Sequence, residues 1–151
     1  MKPAQALAER SDCQIRIEEM KKRLIRFARV QEGGQPAEDT TELLAETEST
    51  FAQMLELVSA INRTNSKTEF DNERSISDAI AEHDVAGKRR DFLAGIAEAA
   101  STRQDRYSKS EVRFVATVSV GKLQMEVDQF AKRYRELDTR LQELNWKTEL
   151  I

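Results

Sequence analysis

The feature that most constrains this chain is an uninterrupted helical spacing of residues near its C-terminal end. Nine positions step by three and four residues: Val120, Leu123, Val127, Phe130, Tyr134, Leu137, Leu141, Leu144 and Thr148. Such a spacing places all nine side chains on one face of an α-helix, so it predicts a long amphipathic helix from Val120 to about Lys147. Because one helix cannot bury its own apolar face, this helix must pack against others.

A first helix is predicted to begin at Pro3, since proline is favoured at the first helical position. It is expected to run for about 29 residues, until residues 32–36 (Glu-Gly-Gly-Gln-Pro) interrupt it. Its apolar face consists of Cys13, Ile17, Met20, Leu24 and Phe27.

A second helix is predicted to follow Asp39. Asp39 and Glu42 have the spacing of a capping box, in which two side chains satisfy the free N–H groups of a helix start. The predicted apolar seam consists of Leu44, Thr47, Phe51, Met54, Val58, Ile61 and Asn65. These residues alternate steps of three and four, which is a heptad rather than a looser helical pattern.

A third helix is predicted to extend to about Ser101. Ser77 is the expected N-cap, and Ile76 before it is placed to act as a hydrophobic staple. Its apolar face is thin, because it is interrupted at His83, at Ala86 or Gly87, and at Arg90.

Residues 112–120 alternate apolar and polar side chains and are rich in valine, a pattern typical of a β-strand. Its partner is the region around Phe70, the same strand of another subunit, or none if the run is an extended connector. We therefore expect a mainly α fold in a single helical domain over residues 1–151. It is an elongated bundle of four long amphipathic helices, with a short β-strand or extended arm between helices 3 and 4.

Composition excludes several classes of protein. The chain has 151 residues and a net charge of -3, so it has no strong field to attract nucleic acid. The single cysteine cannot form an internal disulfide, and the single histidine cannot form a histidine-rich metal site. The chain lacks an apolar stretch long enough to span a membrane and a signal peptide, so we expect a cytoplasmic protein with no membrane partner.

No catalytic motif is recognisable, and we expect no metal, no cofactor and no catalytic residue. The chain has no Gly-rich phosphate loop, nucleophile elbow or dinucleotide-binding turn. Cys13 is expected to be a buried, inert thiol, and His83 a structural or solvated histidine. Lys88, Arg89 and Arg90 lie between acidic residues, which favours a solvated helix face over nucleic-acid contact.

Two polar clusters are the candidates for ligand binding. They consist of Asn62, Arg63 and Asn65 at the end of the second helix, and Arg103, Arg106 and Tyr107 after the third. Guanidinium groups and a phenol hydroxyl recognise anions, so a small anionic ligand is one interpretation. Alternatively, Asn65 fixes the register of packed helices and the arginines complement a helix dipole.

Several segments resemble a family of small bacterial proteins, many of them labelled septicolysin. The segments are 61–65 (INRTN), 98–111, 114–118 (FVATV) and 133–150. The resemblance covers nearly the whole chain, but it implies no established activity and no catalytic residues. The label implies a membrane-lytic protein. Thiol-activated cytolysins carry their cysteine in a tryptophan-rich loop, whereas Cys13 of this chain lies far in the sequence from Trp146.

The sequence thus predicts a non-enzymatic, self-associating scaffold or interaction protein. Support comes from the heptads of the second and fourth helices and from Trp146, Leu150 and Ile151, which lie off the seam. The expected partner is a second copy of the chain in a homo-oligomer. An anion or small-molecule binding protein or enzyme is the first alternative, and a membrane-lytic protein is the second.

Overall fold

The computed structural model describes residues 1–102 and 112–151. In these residues the chain forms four α-helices and no β-strand. The helices are α1 (Pro3–Phe27), α2 (Thr40–Lys67), α3 (Ile76–Ser101) and α4 (Val120–Lys147). The predicted mainly α fold with four long helices is confirmed.

The helix starts follow the capping residues of the sequence. Asp39 caps α2, because its Oδ1 accepts hydrogen bonds from the N–H groups of Thr41 at 2.9 Å and Glu42 at 3.2 Å. The prediction that Ser77 caps α3 is wrong. Ser75 is the N-cap: its Oγ accepts from the N–H of Asp78, and the Asp78 carboxylate accepts from the N–H of Ser75. A reciprocal cap needs an acidic or amide side chain three residues on, which Ser75 has and Ser77 lacks.

The connection between α1 and α2 contains a tight turn at its two glycines. The N–H of Gly34 donates to the carbonyl of Gln31 at 2.8 Å. Gly33 has a φ of 81°, a left-handed conformation that glycine adopts without a steric penalty.

The predicted β-strand or extended arm at residues 112–118 is not supported. These residues have no regular structure, and Phe114 is 82% exposed. The candidate partner around Phe70 is occupied locally, because the N–H of Phe70 donates to the carbonyl of Arg74 at 2.8 Å. A strand requires a neighbouring strand to pair its backbone, and alternating valines cannot supply one.

Contacts within the chain group it into two compact units. Unit 1 contains Met1–Glu69 together with Leu144–Ile151, and unit 2 contains Phe70–Glu143. The single domain over residues 1–151 stays a prediction.

The core of unit 1 lies where α1 packs against α2. It consists of Ala6, Cys13, Leu57 and Ile61, with Leu7, Met54 and Leu150 packed partly buried against it. The predicted face of α1 is confirmed, since Cys13 and Met20 are buried and the other three residues are half-buried. Leu150 therefore packs within its own chain, whereas Trp146 and Ile151 remain exposed.

The buried face of α2 differs from the predicted heptad seam. Its buried residues are Leu43, Thr50, Leu57, Ile61 and Thr64. Apart from Ile61, these lie one position before the predicted residues, and Leu44 and Phe51 are exposed. Thr50 and Thr64 can be buried because each hydroxyl donates to the carbonyl four residues earlier, at 2.9 Å.

Unit 2 combines the small residues of α3 with the large apolar residues of α4. The buried residues of α3 include Ala79, Ala86, Gly87 and Ala97. On α4, Leu137 and Leu141 are buried and the rest of the predicted face is half-buried, which confirms that face. Tyr134 lies directly against Gly87, where a Cβ added to the glycine would be 3.0 Å from the tyrosine Cε2.

Candidate functional site

The structure locates only half of the predicted polar site. Asn62 and Arg63 are exposed near the end of α2, and Asn65 is half-buried. The core position belongs to Thr64, whose Oγ1 also accepts a hydrogen bond from the N–H of Ile151 at 2.9 Å. Asn65 is therefore not the register-fixing core amide that its spacing predicted.

The other half of the predicted site, Arg103, Arg106 and Tyr107, lies outside the described residues. The joining of these two clusters into one anion site therefore stays a prediction.

An apolar surface runs along α2 beside its buried face. We call it the α2 stripe, and it consists of Leu44, Phe51, Leu55 and Val58. Leu44, Phe51 and Leu55 are 54%, 45% and 67% exposed, and Val58 is half-buried. At 3.6 residues per turn these four side chains project within about 60° of one another. The stripe has the width and spacing of a helix-packing face, and the residues of unit 1 leave most of it uncovered.

A shallow groove extends this apolar surface onto α1. It has a volume of about 360 Å³ and is lined by Leu24, Ile25, Phe27, Ala28, Thr40 and Leu44. Ile25 is exposed within it. Leu44 belongs to both surfaces, so the groove and the α2 stripe are continuous.

Unit 2 has a larger groove between α3 and α4, with a volume of about 540 Å³. Its lining includes Phe92, Leu93 and Phe130, together with Lys88 and Arg89. The Arg89 guanidinium lies over the Phe130 ring, 4.3 Å from its centroid. The run of Lys88, Arg89 and Arg90 is thus not only a solvated face, because two of its guanidinium groups pack on aromatic rings of α4.

His83 occupies a polar cluster between α3 and α4. Its Nδ1 lies 2.9 Å from a carboxylate oxygen of Asp84, and its Nε2 lies 3.2 Å from one of Asp138. The contact with Asp138 lacks hydrogen-bond geometry, so it is a close electrostatic contact only. The ring stacks on Tyr134 with a centroid distance of 4.1 Å, and Arg90 lies 4.7 Å from the same tyrosine ring centroid.

This arrangement favours a structural role for His83 over catalysis. Both ring nitrogens face carboxylates, and one face of the ring is covered by an aromatic side chain. A general base needs a nitrogen directed at the proton that it removes.

A second charged cluster centres on Glu82. Arg133 donates to its Oε1 through Nε at 2.8 Å, and Arg74 donates to its Oε2. The hydrogen bond from Arg133, with the charges of both arginines, lowers the pKa of Glu82. Since both guanidinium groups are already engaged by one carboxylate, the cluster is not an open anion site.

The described part of the chain offers no metal centre, since no group of three or more His, Cys, Asp or Glu residues is placed to hold an ion. None of its helices is both long and apolar enough to cross a lipid bilayer.

Sequence reasoning missed Leu55 and Phe92, which are among the most exposed large apolar side chains of α2 and α3. The sequence does carry one signal of exposed apolar surface on these two helices, which is the occurrence of two large apolar residues side by side. Leu43 beside Leu44 and Phe92 beside Leu93 give each helix more apolar residues than one face can bury.

A model of a family of unknown function, DUF6847, matches residues 10–150. The chain is also similar to the crystal structure of a functionally unknown conserved protein from Corynebacterium diphtheriae. Sequence identity is 43%, the TM-score is 0.94, and the match covers 100% of this chain and 99% of the other. A search of curated proteins finds no match.

These findings overturn the resemblance to proteins labelled septicolysin. The matching family has no assigned function, the similar crystal structure is described as functionally unknown, and neither points to septicolysin. The membrane-lytic alternative rested on that label and is withdrawn with it.

Proposed function

Because the chain belongs to DUF6847, a family of unknown function, we propose from its own residues that it is a non-enzymatic, self-associating helical protein of the bacterial cytoplasm. The observation that carries this proposal is the α2 stripe, an apolar face that lies beside the buried face of α2 in unit 1 and is largely exposed. Self-association is the role that most directly accounts for that surface.

The character of the surface supports the same proposal. Large apolar side chains are exposed in both units, including Leu55 in unit 1 and Phe92 in unit 2. Apolar surface loses free energy on leaving water, by about 25 cal/mol per Å². Continuous apolar patches on a chain this size mark interaction surfaces more often than chance exposure.

The test is the mass of the protein in solution. We expect sedimentation velocity and native mass spectrometry of the full chain to give a defined multiple of the 17.3 kDa subunit at micromolar concentration. A monomer at every accessible concentration would refute the proposal.

The same mass spectra test the alternative of an anion-binding protein. A reproducible additional mass on the subunit would favour that alternative over a purely structural role. Loss of the additional mass in Arg63→Ala and Arg106→Ala variants would assign it to the predicted polar residues.

A further inference from the structure

We infer that the groove between α3 and α4 in unit 2, here called the α3–α4 groove, binds a small aromatic carboxylate. Lys88 and Arg89 hold the carboxylate, and Phe92 and Phe130 contact the aromatic body. This inference does not depend on the proposed self-association. It also concerns other residues than the two polar clusters that the sequence predicts as an anion site.

The basic residues of the groove lack the acidic partners that other arginines of these two helices have. Arg90 and Arg133 each donate through Nε to a carboxylate, at 2.9 Å and 2.8 Å. The side chains of Lys88 and Arg89 make no ion pair with a carboxylate in the described part of the chain. Two cations without a counter-charge, placed beside an apolar surface, favour a ligand that carries negative charge.

The apolar part of the groove is mainly aromatic. Phe92 is 68% exposed, and Phe130 is half-buried under the Arg89 guanidinium, which lies 4.3 Å from its ring centroid. A guanidinium that stacks on a ring keeps N–H groups at its edge free to donate to an anion. Because the stacking also restricts the arginine, less conformational entropy is lost when a ligand binds.

The size and lining of the groove fit a small molecule. Its volume of about 540 Å³ lies within the ~300–1,000 Å³ of small-molecule sites. Such sites combine apolar and aromatic side chains with a few polar groups that orient the ligand. The α3–α4 groove has this composition, since Leu93 completes the apolar lining beside the two cations.

Glu126 indicates which way the ligand lies. The two helices are antiparallel, since Asp138 faces His83 and Phe130 lies under Arg89. Glu126 lies one helical turn before Phe130, so it lines the end of the groove away from the two cations. Its carboxylate repels a second negative charge there, which favours a ligand with one acidic group at one end.

The first experiment measures the binding of naphthoate to the full chain by isothermal titration calorimetry. Naphthylmethanol has the same rings without the charge, and acetate has the carboxylate without the rings. We expect naphthoate to bind with a dissociation constant below about 1 mM, and each comparison compound to bind about tenfold more weakly or less.

The second experiment compares Lys88→Gln with Lys132→Gln. Lys132 is the matched control, because it is an exposed lysine of α4 outside the groove and its replacement changes the net charge equally. We expect Lys88→Gln to weaken naphthoate binding by at least about threefold and Lys132→Gln to leave it unchanged. Phe92→Ala should weaken it similarly, and circular dichroism checks that all three variants remain helical.

The location of the site is read from backbone amide shifts in NMR spectra. We expect naphthoate to shift the amides of residues 88–93 and 126–130 and to leave those of the α2 stripe in place. Shifts confined to the α2 stripe would overturn the inference, and so would binding that Lys88→Gln and Phe92→Ala do not change. Equal affinity for naphthoate and naphthylmethanol, or no binding of naphthoate at millimolar concentration, would also overturn it. The mass measurements that test self-association are independent of all these outcomes.

Discussion

The contact between Gly87 and Tyr134 predicts that alanine at position 87 destabilises a helix that alanine would ordinarily strengthen. Replacing a glycine within a helix by alanine gains about 1 kcal/mol from backbone entropy and helix propensity. At Gly87 the new Cβ would lie 3.0 Å from Cε2 and 3.2 Å from Cδ2 of Tyr134, closer than ordinary van der Waals contact. The ring cannot move away freely, because His83 stacks on it and Arg90 packs against it.

Overpacking of this kind costs about 1–3 kcal/mol, which equals or exceeds the gain. We expect Gly87→Ala to lower the free energy of unfolding by up to about 2 kcal/mol. The measurement is urea denaturation followed by circular dichroism, at one fixed protein concentration so that self-association does not shift the midpoint.

Gly95 in the same helix is the matched control, because nothing lies within 4 Å of the position that a Cβ would take there. We expect Gly95→Ala to raise the free energy of unfolding by about 0.5–1 kcal/mol. In a Tyr134→Ala background, Gly87→Ala should become neutral or stabilising, which measures the coupling between the two sites. Equal stabilisation by Gly87→Ala and Gly95→Ala in the parent chain would refute the steric argument.

Three further predictions follow from the packing and charges. Ser75→Ala should cost about 1 kcal/mol in urea denaturation, because it removes the N-cap of α3. Ser77→Ala should change stability by less than about 0.5 kcal/mol, and a larger effect of Ser77 would contradict the observed cap. Leu137→Ala should cost about 2–5 kcal/mol, since the side chain is fully buried, and a cost near zero would show that α4 is not packed there. Glu82 has a lowered pKa in the folded chain, so its contribution is present above about pH 4.3 and is lost as pH falls through the folded pKa. The melting temperature of Glu82→Gln should therefore fall less steeply with acid than that of the parent, and parallel curves would rule out a contribution from the pair with Arg133.

The sequence predicts the helices of this chain well, because helical periodicity survives wherever one face is buried. The predicted face of α4 is correct at all eight of its positions within the helix, because each of them is buried or half-buried. On α2, adjacent apolar residues at positions 43 and 44 allow two stripes, and the periodicity alone cannot show which one α1 covers. Thr50 and Thr64 increase the ambiguity, because their hydroxyl groups are satisfied within the helix and the residues then pack like valine.

The failed strand prediction has a different cause. The pattern of residues 112–118 reports only that the segment could cover one face of a sheet. A strand also needs a partner, and the region around Phe70 forms a local turn instead. Leu44, Phe51 and Val58 of the α2 stripe belong to the predicted heptad and Leu55 does not, and the exposure of all four depends on which face of α2 packs against α1.

Unit 1 is built from two segments that lie far apart in the chain, and this affects how it folds during translation. Synthesis delivers α1 and α2 first, yet their core is completed by Leu144–Ile151, which are made more than seventy residues later. Until then the position that Leu150 occupies against Ala6, Cys13, Leu57 and Ile61 stays uncovered. Domains generally fold from the N-terminus as they emerge, but here the core between α1 and α2 is completed only by residues that follow much later in the chain. During translation the α1–α2 pair therefore exposes to solvent the apolar surface that Leu150 later covers.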